Sequence, residues 1–293
     1  KMKNLGELHS FQGTEIIRSL EGVWLSQYQY VMKLLKNFGM VDCKGISTPL
    51  EQSARSNWTV DQGWRTQPCI GRSWGWLIYL TITHPNLRHA MGLVSHFMQN
   101  LRMSHLDCIK RIIKRVKSTA DFAIWYDTLA PTGLSGYTDA DSAGSRGDRR
   151  SNSINMLFIG SWEVAWSNKK QPTIALSSTK AECKGMALAT YEIIWLKRLL
   201  LYLGIKAPST AMIYCINMSN IHECTNHIEI HYHFIRERIL ASDINLLQVN
   251  TRQQIADVFI KALGTDQQEE FRSRLWAIED EDLAEQANQE LAG

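Results

Sequence analysis

Three acidic residues stand where carboxylates could do chemistry. Asp139 lies in an apolar run that predicts a β-strand, Glu182 lies at the start of a predicted helix, and Asp257 lies in a later predicted helix. A charge inside a strand is costly unless it is paired or bound to a metal ion. Carboxylates that converge within a few ångströms could hold two divalent cations, which hydrolyse phosphodiesters by stabilising the attacking and leaving oxygens.

Each acid also has a purely structural interpretation. Asp139 and Asp141, which share one face by strand periodicity, could be solvated acids at the end of a strand. Thr179 and Glu182 have the spacing of a helix capping box. Asp257 could be an exposed acid near a helix N-terminus, where the helix dipole favours it. The residues alone leave both interpretations open.

The elements that must position these acids have a mixed α/β order. Apolar patterns predict strands at 122–126, 134–139, 154–160 and 164–168, then a helix from about Thr179 to Leu203 that ends at Gly204. A strand at 211–215, a helix at 222–240, a strand at 244–249 and a helix at 252–263 follow. Before these elements, the sequence predicts a β-hairpin from residues 13–17 and 23–26 and a helix from 27–38 that ends at Gly39. It also predicts further helices within residues 71–118.

One predicted helix has a strongly basic face. Apolar residues at 106, 109, 112, 113 and 116 form a stripe that predicts burial, and the opposite side carries Lys110, Arg111, Lys114 and Arg115. From Asp266 onward nine acids and two arginines give a charge of −7. Because the whole chain has a net charge of +3, residues 1–265 carry a net charge of +10. A basic body suits a polyanion such as nucleic acid, although a solvated charged face explains the pattern equally well.

The bulk composition narrows the class of protein. A hydrophobic content of 44% with 21% charged residues is ordinary for a globular protein, and 293 residues are enough for two modest domains. The uncharged stretch 73–86 is too short and too polar to span a membrane. Six scattered cysteines without a CxxC pair favour a reduced intracellular protein of the cytoplasm or nucleus.

Several motifs resemble the ribonuclease H domain of copia-type LTR retrotransposon Pol polyproteins. They are Tyr137-Thr138-Asp139-Ala140-Asp141, Lys169-Lys170-Gln171-Pro172-Thr173, Ser177-Ser178-Thr179 with Ala181-Glu182, and the segment 254–261 around Asp257. The resemblance implies an α/β ribonuclease H-like mixed sheet with flanking helices, and cleavage of RNA in RNA–DNA hybrids. It further implies that Asp139, Glu182 and Asp257 bind two Mg²⁺ or Mn²⁺ ions. Lys169 and Lys170 join the basic helix as predicted nucleic-acid contacts.

One position departs from the family pattern. The family follows a strand of the type Ile-Tyr-Cys with an Asp-Asn pair, whereas this chain has Ile216 after Cys215. Ile216 offers no oxygen ligand, so impaired or absent cleavage is expected, and a non-catalytic nucleic-acid-binding remnant is the alternative. Nearby histidines could instead suggest zinc, since His227 and His231 are one helical turn apart, but these two lie within a family signature. The other residues of this group are His222, Cys224 and His233.

The first half of the chain resembles the reverse-transcriptase part of the same polyproteins. Matching pieces include Leu5-Gly6-Glu7-Leu8-His9, Ser47-Thr48-Pro49-Leu50 and His96-Phe97-Met98-Gln99. The expected division is the end of a palm-like region at 1–50, a mostly helical thumb or connection at 51–130, the ribonuclease H-like domain at 131–265 and an acidic tail at 266–293. No Tyr-x-Asp-Asp element occurs, so the chain is read as a fragment whose polymerase would come from another copy of the element.

Overall fold

The structure, a computed structural model, describes two compact units. The described residues are 6–50, 68–95, 103–127, 133–141, 149–206, 210–216 and 229–250, together with Gln254 and Ala256. One unit lies within residues 1–129 and the other within residues 130–260. In the described ranges no helix is both long and apolar enough to cross a membrane. The acidic tail at 266–293 lies outside the described residues.

The first unit contains an antiparallel sheet of four strands. In sheet order these are β1 (Ser10–Phe11), β2 (Thr14–Arg18), β3 (Gly22–Ser26) and β4 (Ala123–Asp127). The hairpin predicted from 13–17 and 23–26 is confirmed, with β2 paired antiparallel to β3. Strand β4 comes from the far end of the unit and pairs with β3, where the tilted rings of Trp24 and Trp125 lie 4.4 Å apart between centroids.

Helices supply the core of the first unit. They are α1 (Tyr28–Asn37), α2 (Pro68–Leu80), α3 (Arg88–Ser95) and α4 (Met103–Lys117), with a single 3₁₀ turn at Pro85–Leu87. The apolar stripe predicted on α4 is buried, with Ile112, Ile113 and Val116 fully enclosed. Helix α1 ends at Asn37, two residues before the predicted terminating Gly39, whose φ of +62° suits glycine. Amphipathic helices thus close this core as their periodicity predicts.

The second unit is built on a mixed sheet of five strands. They are β5 (Leu134–Asp141), β6 (Asn152–Ile159), β7 (Trp162–Lys170), β8 (Ala211–Cys215) and β9 (Ile244–Gln248), in the order β7-β6-β5-β8-β9. Strands β5, β6 and β7 are antiparallel neighbours, whereas β8 and β9 run parallel to β5. The α/β ribonuclease H-like mixed sheet expected from the resemblance is confirmed, with Asp139 on the central strand.

Two helices flank this sheet in the described part of the second unit. Helix α5 (Ser178–Tyr202) joins β7 to β8, and α6 (Glu229–Leu240) precedes β9. Helix α5 approaches β5 closely because a glycine stands at each of two contact points, Gly136 on the strand and Gly185 on the helix. An added Cβ at Gly136 would lie 3.2 Å from Ile193 Cδ1, and one at Gly185 would lie 3.3 Å from Thr138 Oγ1. This approach sets the distance between the strand that carries Asp139 and the helix that carries Glu182.

Candidate active site

Asp139 lies on the central strand β5, at a point where β5 still pairs with β6 but no longer pairs with β8. It pairs with Ile154 of β6 on one side, while the parallel pairing of β5 with β8 ends two residues earlier, at Tyr137 and Tyr214. Its Oδ1 accepts a hydrogen bond from the Ala140 N–H at 2.7 Å. The side chain is half-buried. The opening between β5 and β8 therefore leaves space beside the carboxylate.

Glu182 lies in the second turn of α5, and the capping interpretation of this residue is wrong. The helix is capped by Ser177, whose Oγ accepts a hydrogen bond from the Lys180 N–H at 3.2 Å, so Thr179 and Glu182 do not form a capping box. Burial raises the pKa of the Glu182 carboxyl above its usual value of 4.5. A carboxylate that is partly withdrawn from water without a capping role suits a binding site.

The structure brings Asp139 and Glu182 to one small cavity. Its walls are Thr138, Asp139, Glu182, Met186, Cys215 and Ile216. Cys215 is the last residue of β8 and Ile216 lies in the bend that follows, so both can border the same space although adjacent strand residues normally face opposite ways. Ile216 thus stands at the position where the resemblance implies a third carboxylate.

Apolar and sulfur-containing side chains dominate the rest of the cavity wall. Burial and the neighbouring Glu182 charge raise the pKa of the Cys215 thiol to about 11, which keeps it protonated near neutral pH. Cys215 is 4% exposed, and its Sγ lies 3.8 Å from the Leu247 carbonyl oxygen. Sequence reasoning missed Cys215 as a lining residue, because strand periodicity alone assigns it to the face opposite that of its neighbour.

The donors described around the cavity do not fit a two-metal centre. Magnesium prefers several oxygen ligands, and two-ion sites need carboxylates that bridge both ions. The cavity wall offers only Asp139 and Glu182 as carboxylates. Among the described residues no group of three or more His, Cys, Asp or Glu side chains is arranged to hold a metal ion. Asp257 lies outside the described residues.

Asp141 is engaged elsewhere. Its Oδ2 accepts a hydrogen bond from Asn152 Nδ2 at 2.9 Å, and its Oδ1 accepts one from the Asn152 backbone N–H. Asn152 is its partner across the β5–β6 ladder. Asp141 does not line the cavity, so it holds two strand ends together beside the site.

Two buried amides around the site were not predicted. Gln254, fully buried, donates from Nε2 to the Thr138 carbonyl at 3.0 Å, across 116 residues of sequence. Gln171, 2% exposed, donates from Nε2 to Ser153 Oγ and to the Ala181 carbonyl, both at 2.9 Å. Both belong to motifs that the sequence singled out, but their burial depends on long-range packing that no local pattern reveals.

The predicted nucleic-acid contacts fall on both units and differ in exposure. Lys110 and Lys114 on α4 are exposed, and Arg111 donates from Nη2 to Thr48 Oγ1 at 3.0 Å. Arg115 is 7% exposed, so its placement on the open basic face is wrong. The reason is helix geometry, since Arg115 lies three residues after the buried Ile112 and seven after the buried Cys108, which places it on their side of the helix.

The two lysines of the second unit lie at the end of β7. Lys169 Nζ lies 3.1 Å from Glu192 Oε1 of α5, although its side chain is 62% exposed. Lys170 is half-buried. Lys169 therefore has a structural partner in addition to its predicted role at nucleic acid.

The described residues give no support to the alternative of a zinc site. His231 and His233 lie on α6, and the absence of any metal-holding group noted above for the described ranges includes this helix. Burial and the nearby Lys184 charge lower the pKa of His231. His222, Cys224 and His227 lie outside the described residues.

The chain is similar to Pol polyproteins of plant transposons. It is 32% identical over 284 residues to the retrovirus-related Pol polyprotein from transposon RE1 of Arabidopsis thaliana, covering 94% of this chain and 19% of that protein. It is 31% identical over 279 residues to the corresponding polyprotein from transposon TNT 1-94 of Nicotiana tabacum, covering 89% of this chain and 21% of that protein. The chain thus spans about a fifth of the length of these curated relatives.

Shorter relatives and solved structures are also similar. An uncharacterized mitochondrial protein of Arabidopsis thaliana is 35% identical over 195 residues, covering 66% of this chain and 80% of that protein. The N-terminal RNase H domain of Rv2228c from Mycobacterium tuberculosis aligns with 42% of this chain and 92% of its own, at a TM-score of 0.33 and 12% identity. No protein-family model matches the chain. The fold assignment rests on the strand order and directions of the second unit.

Proposed function

Because the chain belongs to the family of copia-type retrotransposon Pol polyproteins, matching about a fifth of their length, we propose that it is a reverse-transcriptase/ribonuclease H fragment whose nuclease site is impaired. The substrate class is the RNA strand of RNA–DNA hybrids. The first unit would hold the end of the palm-like region (1–50) and the thumb or connection (51–130), and the second unit the ribonuclease H-like domain (131–265). An intact polymerase from another copy of the element is the partner that would complete its activity.

The observation that carries the proposal is the composition of the cavity between β5, β8 and α5. Asp139 and Glu182 converge there from different elements, as a phosphodiesterase site requires, and Ile216, which stands where the family pattern has a third carboxylate, lines the same cavity. An apolar side chain at this point removes a ligand and the electrostatic stabilisation on which phosphoryl chemistry depends. Hybrid cleavage by the unmodified chain is therefore expected at background level.

The cofactor of an intact site would be two Mg²⁺ or Mn²⁺ ions, held by Asp139, Glu182, Asp257 and the missing carboxylate. Since the described donors do not fit two ions, this chain would bind one ion weakly or none. The residues of this chain supply two carboxylates, Asp139 and Glu182, that the fold already holds close together. Asp139 is fixed by the backbone of its strand and Glu182 by the docking of α5.

Nucleic acid would be held chiefly through phosphate contacts. Lys110 and Lys114 are exposed on α4, and Lys169 is largely exposed at the end of β7. Lysine contacts to phosphate release counterions and therefore weaken with salt, without reading sequence. Hybrid binding should accordingly fall as salt rises, and Lys110→Gln with Lys114→Gln should reduce the slope of log affinity against log salt by about one to two.

The decisive experiment restores the missing carboxylate. Cleavage of a labelled RNA–DNA hybrid with Mg²⁺ or Mn²⁺ is compared for the unmodified chain, Ile216→Asp, and Ile216→Asn as a control of the same shape without charge. Ile216→Asp should cleave measurably above the unmodified chain, Ile216→Asn should not, and adding Asp139→Asn to Ile216→Asp should abolish the gain. Robust cleavage by the unmodified chain that survives Asp139→Asn would refute both the impairment and the site.

The second candidate function is a non-catalytic nucleic-acid-binding remnant, which the same Ile216 favours. The two candidates differ in whether the site can be repaired. If Ile216→Asp binds the hybrid in a salt-dependent way but shows no divalent-ion-dependent cleavage, the remnant is the better description.

A further inference from the structure

The motif Lys169-Lys170-Gln171-Pro172-Thr173 has a structural role that the proposed function leaves unassigned. It begins with the last two residues of β7 and continues into the segment that leads to α5. Three of its side chains contact α5 at separate points. Lys169 Nζ lies 3.1 Å from Glu192 Oε1, Gln171 Nε2 lies 2.9 Å from the Ala181 carbonyl, and Thr173 Oγ1 accepts from Lys184 Nζ at 2.7 Å. The motif therefore holds the helix that carries Glu182.

Gln171 is the buried centre of this arrangement. Its backbone N–H donates to the Ser151 carbonyl at 2.8 Å, which fixes the residue against the start of β6. The two hydrogens of its side-chain amide then go to different elements, one to Ser153 Oγ on β6 and the other to the Ala181 carbonyl on α5. Ser153 and Ala181 are themselves almost wholly buried. A buried amide with both donors satisfied constrains its partners strongly, because losing either bond leaves an unpaired polar group.

These two partners are the neighbours of the two acids. Ala181 directly precedes Glu182, and Ser153 pairs across the ladder with Ala140, which directly follows Asp139. One side chain thus links the backbone beside one carboxylate to the strand position beside the other. Gln171 does not line the cavity, so it would act only through the residues that do.

We propose that Gln171 is a positioning residue that sets the placement of Glu182 relative to Asp139, an inference that rests on the proposed function for its catalytic consequence. Salt-bridged Lys169 and hydrogen-bonded Thr173 support the same docking from the exposed side of the helix. The amide is required rather than merely a polar side chain, because a carboxylate of the same shape donates no hydrogen to the Ala181 carbonyl.

The first readout is amide hydrogen exchange in the chain as it stands, with Gln171→Met and Gln171→Glu as near-isosteric variants. Thr190→Val is the matched control, since the buried Thr190 hydroxyl donates to the Met186 carbonyl on the same helix at 2.8 Å. Both Gln171 variants should speed exchange at 181–186 by about fivefold to tenfold, while exchange in the first unit stays unchanged. Thr190→Val should leave the exchange of Ala181 and Glu182 as it was.

The second readout is cleavage in the Ile216→Asp background. Adding Gln171→Met or Gln171→Glu should lower kcat by about tenfold to a hundredfold with KM changed less than about twofold, because misplaced catalytic groups affect the chemical step. Thr190→Val should retain the cleavage of Ile216→Asp. If Ile216→Asp itself is inert, the proposed function fails and hydrogen exchange alone decides the role of Gln171. Exchange at 181–186 that matches Thr190→Val, or kcat unaffected by both Gln171 variants, would overturn the proposal.

Discussion

Single side chains decide what the cavity of the second unit can do. Asp139 and Glu182 meet there, but the residue after Cys215 is an isoleucine, and the thiol of Cys215 stays protonated near neutral pH. The remaining wall is therefore poor in donors. A single substitution at 216 changes the number of carboxylates from two to three without altering the elements that hold them.

Another buried acid of the second unit should make the stability of that unit depend on pH. Glu163 on β7 is 3% exposed, and burial raises its pKa from an ordinary 4.5 to about 8. Between these values the folded unit holds a proton that the unfolded chain has released. The unfolded state binds fewer protons, so the free energy of unfolding falls as pH rises through this window, by at most about 1.4 kcal/mol per pH unit.

We expect Glu163→Gln to remove this dependence. The second unit of the variant should be more stable than the unmodified unit at pH 7.5, and the two should converge towards pH 5. Urea unfolding at pH 5.5, 6.5 and 7.5, followed by circular dichroism, measures the effect. Parallel pH profiles for the two proteins would show that Glu163 titrates normally.

At the scale of elements, the distance between α5 and β5 depends on small residues. An added Cβ at Gly136 would lie 2.9 Å from Leu157 Cδ2, and one at Gly185 would lie 3.3 Å from Thr138 Oγ1 and 3.5 Å from the Asp139 carbonyl oxygen. Helix α5 therefore reaches the strand more closely than a helix with larger side chains could. The acids on the two elements converge as a consequence.

A larger residue at Gly185 should separate these elements. Gly185→Val is expected to lower the free energy of unfolding of the second unit by about 1–3 kcal/mol through overpacking. Gly92→Val in α3 is the matched control, because an added Cβ there meets nothing within 4 Å. The control should change stability by less than about 0.5 kcal/mol, in line with helix propensity. Equal effects in thermal unfolding would mean that α5 and β5 are not closely packed at Gly185.

At the scale of the whole molecule, the two units should respond to pH in opposite directions. His84 in the first unit is fully buried, with Nε2 2.9 Å from the Thr119 carbonyl and Nδ1 2.9 Å from Thr83 Oγ1. Burial lowers its pKa from 6.5 to about 4, with a smaller contribution from the Arg115 charge and opposition from the hydrogen bond to Thr119. Below pH 6.5 the histidine of the unfolded chain binds a proton, whereas the buried His84 of the folded unit stays neutral. Acid therefore destabilises the first unit.

Unfolding followed separately in the two units tests this contrast. Between pH 7.5 and pH 5 the first unit should lose stability, at most about 1.4 kcal/mol per pH unit, while the contribution of Glu163 stabilises the second. Hydrogen exchange at buried amides of α4 and of β6 reports each unit independently. His84→Gln should flatten only the first profile and Glu163→Gln only the second. Profiles that change together in either variant would contradict the assignment of each group to its own unit.

Local sequence signals predict most of the described elements and their order. Turn residues and the hydrophobic period predict the hairpin of β2 and β3, the buried stripe of α4, and the ends of α1 and α5 two residues before Gly39 and Gly204. These signals are local, since each depends on residues a few positions apart. Asp139 and Ile216 are also recognised from local sequence, because the residues around each of them resemble motifs of the family.

Which side chains meet depends on how the elements pack in three dimensions. Ser177 rather than Thr179 caps α5, Arg115 is buried rather than open to phosphate, and Cys215 borders the cavity beside Ile216. Gln171 and Gln254 donate from their side-chain Nε2 atoms to partners 10 to 116 residues away. Periodicity fixes the face of an element on which a residue lies, but the partner opposite that face depends on how strands pair and how closely α5 packs. A buried polar side chain is therefore recognised only once its hydrogen-bond partners have been brought together in space.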